Sequence, residues 1–190
     1  LSNLSLDEIL SLYRFNQYYG SPSEYFYSSG LIIDWAEKQV IQGDDSEILL
    51  IIASLGLDKK IDSDEVMTYL KRYLSEKNIS IPSINYSCLV FMRLFSQKIM
   101  ICNSLEDIGD LLHSFVFKYI EFGNRYFHRI KHYWLFIYYD YFDMYDGLNC
   151  YCAEKQLSEE KRYTRIKALA KRFYSFLNNK EMVEYLAKHI

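Results

Sequence analysis

Apolar residues recur along this chain at intervals of three and four, the spacing that gathers one face of an α-helix. Ile9, Leu12, Tyr13 and Asn16 begin one stripe; Ile32, Trp35, Ala36 and Val40 form a second, and Val66, Tyr69, Leu70 and Tyr73 a third. The segment from Glu47 to Leu57 is apolar almost throughout and predicts a central buried helix, with a buried strand as the alternative. Pro82 biases its predecessor away from helix, so residues 79–83 read as an extended connector. Beyond it the pattern predicts helices over 84–102, 105–121, 124–147, 159–177 and 180–189.

Polar residues mark where these helices begin. Ser5 with Glu8, Ser21 with Glu24 and Asp62 with Glu65 each place an acceptor three residues ahead of a carboxylate, so that the two can satisfy free backbone N–H groups reciprocally. Pro22 falls at a first helical position, where its missing N–H costs nothing. Ser104 and Ser158 are followed by acids that suit the positive end of a helix. The expected fold is all-α, a single-domain bundle of about eight helices over residues 1–190, with a looser division near 79–83. The stretches 64–74 and 180–190 share an acid, Met or Val, then Tyr-Leu and a base. Stacked hairpins of the HEAT kind are therefore one arrangement open to the chain, although no fixed period links the two stretches.

Composition narrows the class. Half of the 190 residues are apolar, which suffices for a sizeable core, and only 7 Gly and 2 Pro interrupt the chain, too few for a sandwich or barrel. No apolar run approaches the roughly 18 residues of a membrane span, and the first ten residues lack a basic region followed by an apolar one. A cytoplasmic protein without a membrane partner is expected. Cys88, Cys102, Cys150 and Cys152 are read as reduced thiols, because the Cys150-Tyr-Cys152 spacing is too tight for a disulfide framework. That pair with His128 or His132 lacks the ligand spacing of a structural zinc site, so no metal or cofactor is expected. The glycine-rich, zinc-protease and serine-hydrolase motifs are missing.

Charge is unevenly placed. Residues 1–110 carry 16 acids and 9 bases, residues 111–190 carry 9 acids and 13 bases, and the whole chain is at −3. Such a dipolar distribution suits a charged macromolecular partner better than nonspecific DNA binding, and nucleic acid is not the expected partner. The basic run Lys161, Arg162, Arg165, Lys167, Lys171 and Arg172 reads as a solvated helix face, the alternative being a scaffold that touches RNA.

The densest chemistry lies between Arg125 and Asp146, where ten of the residues are Phe, Tyr or Trp and six are charged. Phe127, Ile130, Trp134, Ile137, Tyr141, Met144 and Leu148 fall on one stripe, expected in the core. Arg125, Arg129, His132, Phe136, Tyr139 and Asp143 fall opposite, flanked by Asp140 and Asp146. Three readings follow. The helix is buried all round; or Phe136, Tyr139, Asp140, Asp143 and Asp146 bind a protein; or Arg125 and His132 are catalytic. The last rests on Arg-x6-His followed by Tyr133, which resembles the signature of HEPN ribonucleases. That resemblance implies that Arg125 binds the scissile phosphate and His132 activates the 2′-hydroxyl; this chain has Tyr126 where the family has a polar residue.

The segment from Ser28 to Leu74 places a Gly, an amphipathic helix with Ala after an aromatic, an acidic turn and a buried Leu-rich helix in succession. In this layout it is similar to an uncharacterised helical family found near polymorphic bacterial toxins. The resemblance implies an immunity protein of the contact-dependent growth inhibition type, which binds a cognate toxin, a nuclease by expectation, and neutralises it by covering its active site. Such a protein would not be an enzyme. The resemblance carries over no functional residues, no oligomeric state and no identity for the toxin.

Overall fold

The computed structural model describes residues 4–19, 27–118, 124–142 and 157–190, and all regular structure among them is helical. The helices are α1 (Leu6–Tyr19), α2 (Gly30–Ile41), α3 (Glu47–Ser54), α4 (Ser63–Glu76), α5 (Ile84–Ile101), α6 (Leu105–Lys118), α7 (Arg125–Tyr141), α8 (Glu159–Leu177) and α9 (Lys180–His189). The protein is an all-α, multi-helix structure, as its apolar spacing predicts. The last two helices occupy the predicted ranges, because Ser158 and Asn179 cap them through their side chains.

The capping chemistry is visible in detail. The Ser5 amide donates to the Glu8 carboxylate at 2.7 Å and the Glu8 amide donates to Ser5 Oγ at 3.3 Å. Ser104 and Asp107 form the same reciprocal pair at 3.1 and 3.0 Å, so an aspartate fills the role usual for glutamate. Asp62 accepts from the amides of Asp64 and Glu65. The start expected at Ser21–Glu24, with Pro22, lies outside the described residues. At the other ends, α2 and α4 stop by the same device. Gly43 (φ 98°) and Asn78 (φ 53°) turn left-handed, and the next amides, of Asp44 and Ile79, return to the carbonyls of Gln39 and Leu74 at 3.0 and 2.9 Å.

The chain divides into two compact units, Leu1–Ser87 and Cys88–Ile190, with the boundary inside the first turn of α5. In the first unit α2 packs on α1, α3 and α4, and α3 on α4, around Ile9, Leu10, Ile32, Trp35, Ala36, Leu49, Ile52, Val66 and Leu70. Trp35 meets Tyr73 edge-on at 5.4 Å. The Tyr86 hydroxyl donates to the Asp7 carboxylate at 2.7 Å, which ties the start of α5 to α1. The 47–57 segment differs from its expectation of full burial. It is helical only to Ser54, continues as a 3-10 turn over Leu55–Leu57, and leaves Leu50 and Leu57 exposed. An eight-residue helix lying against its neighbours can turn only one stripe, here Ile48, Leu49 and Ile52, into the core.

In the second unit a chain of rings joins four helices. Phe91 and Phe95 of α5 meet Phe115 of α6 at 6.0 and 4.3 Å, Phe95 meets Trp134 of α7 edge-on at 5.5 Å, and Trp134 meets Phe173 of α8 at 5.4 Å. Two bases of α8 are spent on helix ends. Lys167 Nζ and the Tyr163 hydroxyl donate to the Cys102 carbonyl beyond α5 at 3.0 and 2.7 Å, and Arg162 donates to the Tyr141 carbonyl at 2.8 Å. Cations there answer the negative end of a helix and satisfy carbonyls that have no partner within it. The basic run is therefore not wholly a solvated face.

Gly109 of α6 is a close-approach glycine. A Cβ there would lie 2.9 Å from the Phe142 ring, whereas one at Gly30 would meet nothing nearer than 3.5 Å. Gly109→Ala is expected to lower stability by about 1–3 kcal/mol through overpacking, outweighing a helix-propensity gain of about 1 kcal/mol. Gly30→Ala should stay within about 0.5 kcal/mol of the parent in a urea titration. A Gly109→Ala protein as stable as the parent would show that Phe142 yields freely.

Candidate partner-binding face on α7

Burial of Phe127, Trp134, Ile137 and Tyr141 fixes the roll of α7, with Ile130 half-buried beside them. Residues two apart on a helix point about 200° apart, so the packing that sinks Trp134 turns Phe136 outward. Phe136 is 63% exposed, Tyr139 is 38% exposed, and Arg125 and Arg129 are exposed as well. The reading of a helix buried all round is thereby corrected. Met144 and Leu148, the remaining members of the core stripe, lie outside the described residues.

The outward rings form two groups of contacts, which include residues the sequence did not single out. His128 lies 4.3 Å from His132, which lies 6.4 Å from Phe136, all at successive turns. From α6, Phe117 meets Tyr138 edge-on at 5.5 Å and Tyr139 at 6.4 Å, while His113 meets Phe117 at 4.8 Å. On the other flank Tyr133 packs at 5.2 Å against Phe173 of α8, and burial there raises the tyrosine's pKa. The i, i+4 pair His113 and Phe117 was the available signal for the α6 contribution. Lys131, buried beside the core stripe, had no such signal.

The five residues predicted to bind a partner separate into two groups. Phe136 and Tyr139 are presented together at i, i+3 spacing on the exposed face. Asp140 is half-buried and already engaged within its own chain. Asp143 and Asp146 lie outside the described residues. The described part of the face is thus aromatic and cationic, where the sequence suggested aromatic and acidic.

Arg125 and His132 share this face two turns apart, about 10 Å along the axis. Arg125 donates to the neighbouring Tyr126 hydroxyl at 3.0 Å, and its guanidinium lies 4.9 Å from the centre of that ring. The hydrogen bond and the adjacent positive charge lower the pKa of Tyr126. Among the described residues no group of three or more His, Cys, Asp or Glu stands close enough to hold a metal; Cys150 and Cys152 lie outside them. An open cleft of about 420 Å³ at the starts of α6 and α8 is lined by Ser104, Glu159, Glu160 and Tyr163. Its two glutamates oppose the anion that helix N-termini would favour.

Among the described residues no helix is long and apolar enough to cross a membrane. Comparison with protein families, with curated proteins and with solved structures finds no match to the chain.

Two measurements check this geometry. Trp134→Ala is expected to cost about 3–5 kcal/mol of stability, as for a buried indole, whereas Phe136→Ala should change it by less than about 0.5 kcal/mol. Equal losses at both positions would mean that Phe136 is packed. Arg125→Ala should raise the pKa of Tyr126 toward that of an ordinary tyrosine, followed by NMR titration of ring-labelled protein and assigned with Tyr126→Phe. An unmoved titration would show that the pair does not form in solution.

Proposed function

We propose that this chain is a binding protein without catalytic activity, which neutralises a bacterial toxin by covering its active site in the cytoplasm of the cell that makes both. The observation that carries the binding reading is the Phe136 ring, 63% exposed on the same face as Tyr139, which meets Phe117 edge-on, beside a stripe of the same helix buried at Phe127, Trp134, Ile137 and Tyr141. Large rings with Arg among them are the residues most often found as anchors at protein interfaces. Leaving this much apolar ring area in water gains nothing for folding, and a partner that covered it would recover the burial energy. The choice of a toxin of the contact-dependent growth inhibition type, with a nuclease as its expected class, rests on the resemblance of residues 28–74. Asp140, followed in sequence by Asp143 and Asp146, would meet the basic margin of a nuclease cleft.

The reading is tested with the cognate toxin in a growth-protection assay and by calorimetric titration. Phe136→Ala with Tyr139→Ala should weaken binding by about 2 kcal/mol or more, the cost of removing central anchors, while the thermal melt stays near that of the parent. Full protection and unchanged affinity in the double mutant would remove the α7 face from the interface. Arg125→Ala and His132→Ala serve as the enzymatic control: RNA cleavage by the parent, lost in both, would overturn the non-catalytic assignment.

A further inference from the structure

We infer that the first three turns of α7 grip a carboxylate-bearing segment of a protein partner, with Arg125 and Arg129 as the charge contacts and Phe136 as the apolar anchor at the far end. This rests on the binding reading above and changes which part of the partner is held: an acidic surface beside the active site, in addition to any basic margin met by the aspartates. The sequence of α7 from Arg125 to Tyr139 contains Arg125, Arg129, Lys131 and two histidines but no Asp or Glu. Arg125 and Arg129 therefore have no carboxylate three or four residues further along the helix, where exposed helices usually supply one. Arg125 and Arg129 are themselves one turn apart and both exposed, and His128, His132 and Phe136 continue the same surface.

Arg125 is also held in place. Its guanidinium rests near the Tyr126 ring and donates to that hydroxyl through Nη2, which limits the rotamers that would otherwise be lost on binding. A guanidinium carries five donors in a planar fork, so the donors beyond the one held by Tyr126 suit a carboxylate in bidentate fashion. The neighbouring helix adds to the field rather than cancelling it, because Arg172 is exposed next to Phe173, against which Tyr133 of α7 packs. The face is thus complementary to an acidic peptide with an apolar side chain near one end. A nucleic acid fits less well, since Arg125 and Arg129 are the only exposed arginines on this helix, too few for the row of phosphate contacts on which such binding depends.

The test uses isotope-labelled full-length protein and three synthetic probes: a peptide of mixed Glu and Leu, the same peptide with Lys in place of Glu, and an oligouridylate. The Glu peptide should bind with NMR shifts centred on Arg125, Arg129, His132 and Phe136 and should weaken as salt is added. R125E with R129E should reduce that affinity at least about tenfold, with the melt unchanged because both side chains are exposed. Preference for the Lys peptide or for oligouridylate, or no binding by the Glu peptide, would overturn the inference. The two readings can fail separately. Peptide binding by a protein that confers no protection against toxin would sink the toxin reading alone, and full toxin neutralisation by the double charge reversal would sink this one alone.

Discussion

The burial of Trp134 is the constraint on which the second unit depends. Its indole is enclosed between Phe95 of α5 and Phe173 of α8, and through Phe95 it joins a stack that includes Phe91 and Phe115. A side chain of that size can be accommodated in one orientation only, because a packed interior offers no second cavity for it. The roll of α7 follows, and with it every other position on the helix. Phe136 and Arg129 face out for the same reason that Ile137 and Tyr141 face in. The candidate binding surface is in this sense a by-product of core packing, since among the described residues the exposed Phe136 ring meets only His132, a turn away on its own helix.

Helix α8 shows how one element serves both structure and surface. Arg162 and Lys167 cap the carbonyl ends of α7 and α5, where their charges oppose the local negative potential. Arg172 instead stays exposed beside the aromatic face. A run of like charges that looks uniform in sequence is therefore split by helical phase into side chains that hold helix ends together and side chains that shape the surface field. The consequence for function is direct. The net charge presented beside α7 is that of the exposed cations, not of the whole run.

Some of this was legible beforehand and some was not, and the particular residues explain the division. Ser5, Asp62, Ser104 and Ser158 announced their helices because a cap is a contact between near neighbours in sequence. Asn124 and Asn179 do the same work without having been singled out as caps; the signal that could have found them is an Asn directly ahead of an apolar-periodic run. Residues 47–57 misled for the opposite reason. Apolar content without clear periodicity says that some burial occurs but not how much, and Leu50 and Leu57 remain exposed although Leu49 and Ile52 are buried. Of the acidic half of the expected α7 face, Asp140 lies in the last turn of the helix and is engaged within its own chain, and Asp143 and Asp146 lie outside the described residues.

The sequence by itself determined that the protein is helical, where most of its helices begin, and which stripe of α7 is apolar, because caps and periodicity are local properties that survive outside any tertiary context. Only the tertiary structure decided that His113 and Phe117 of α6 extend the α7 surface, that Arg162 and Lys167 turn inward, and that Asp140 is engaged by its own chain. Those outcomes depend on which helix lies beside which. That is set by the fit of large rings between elements far apart in sequence, and spacing along one helix carries no information about it.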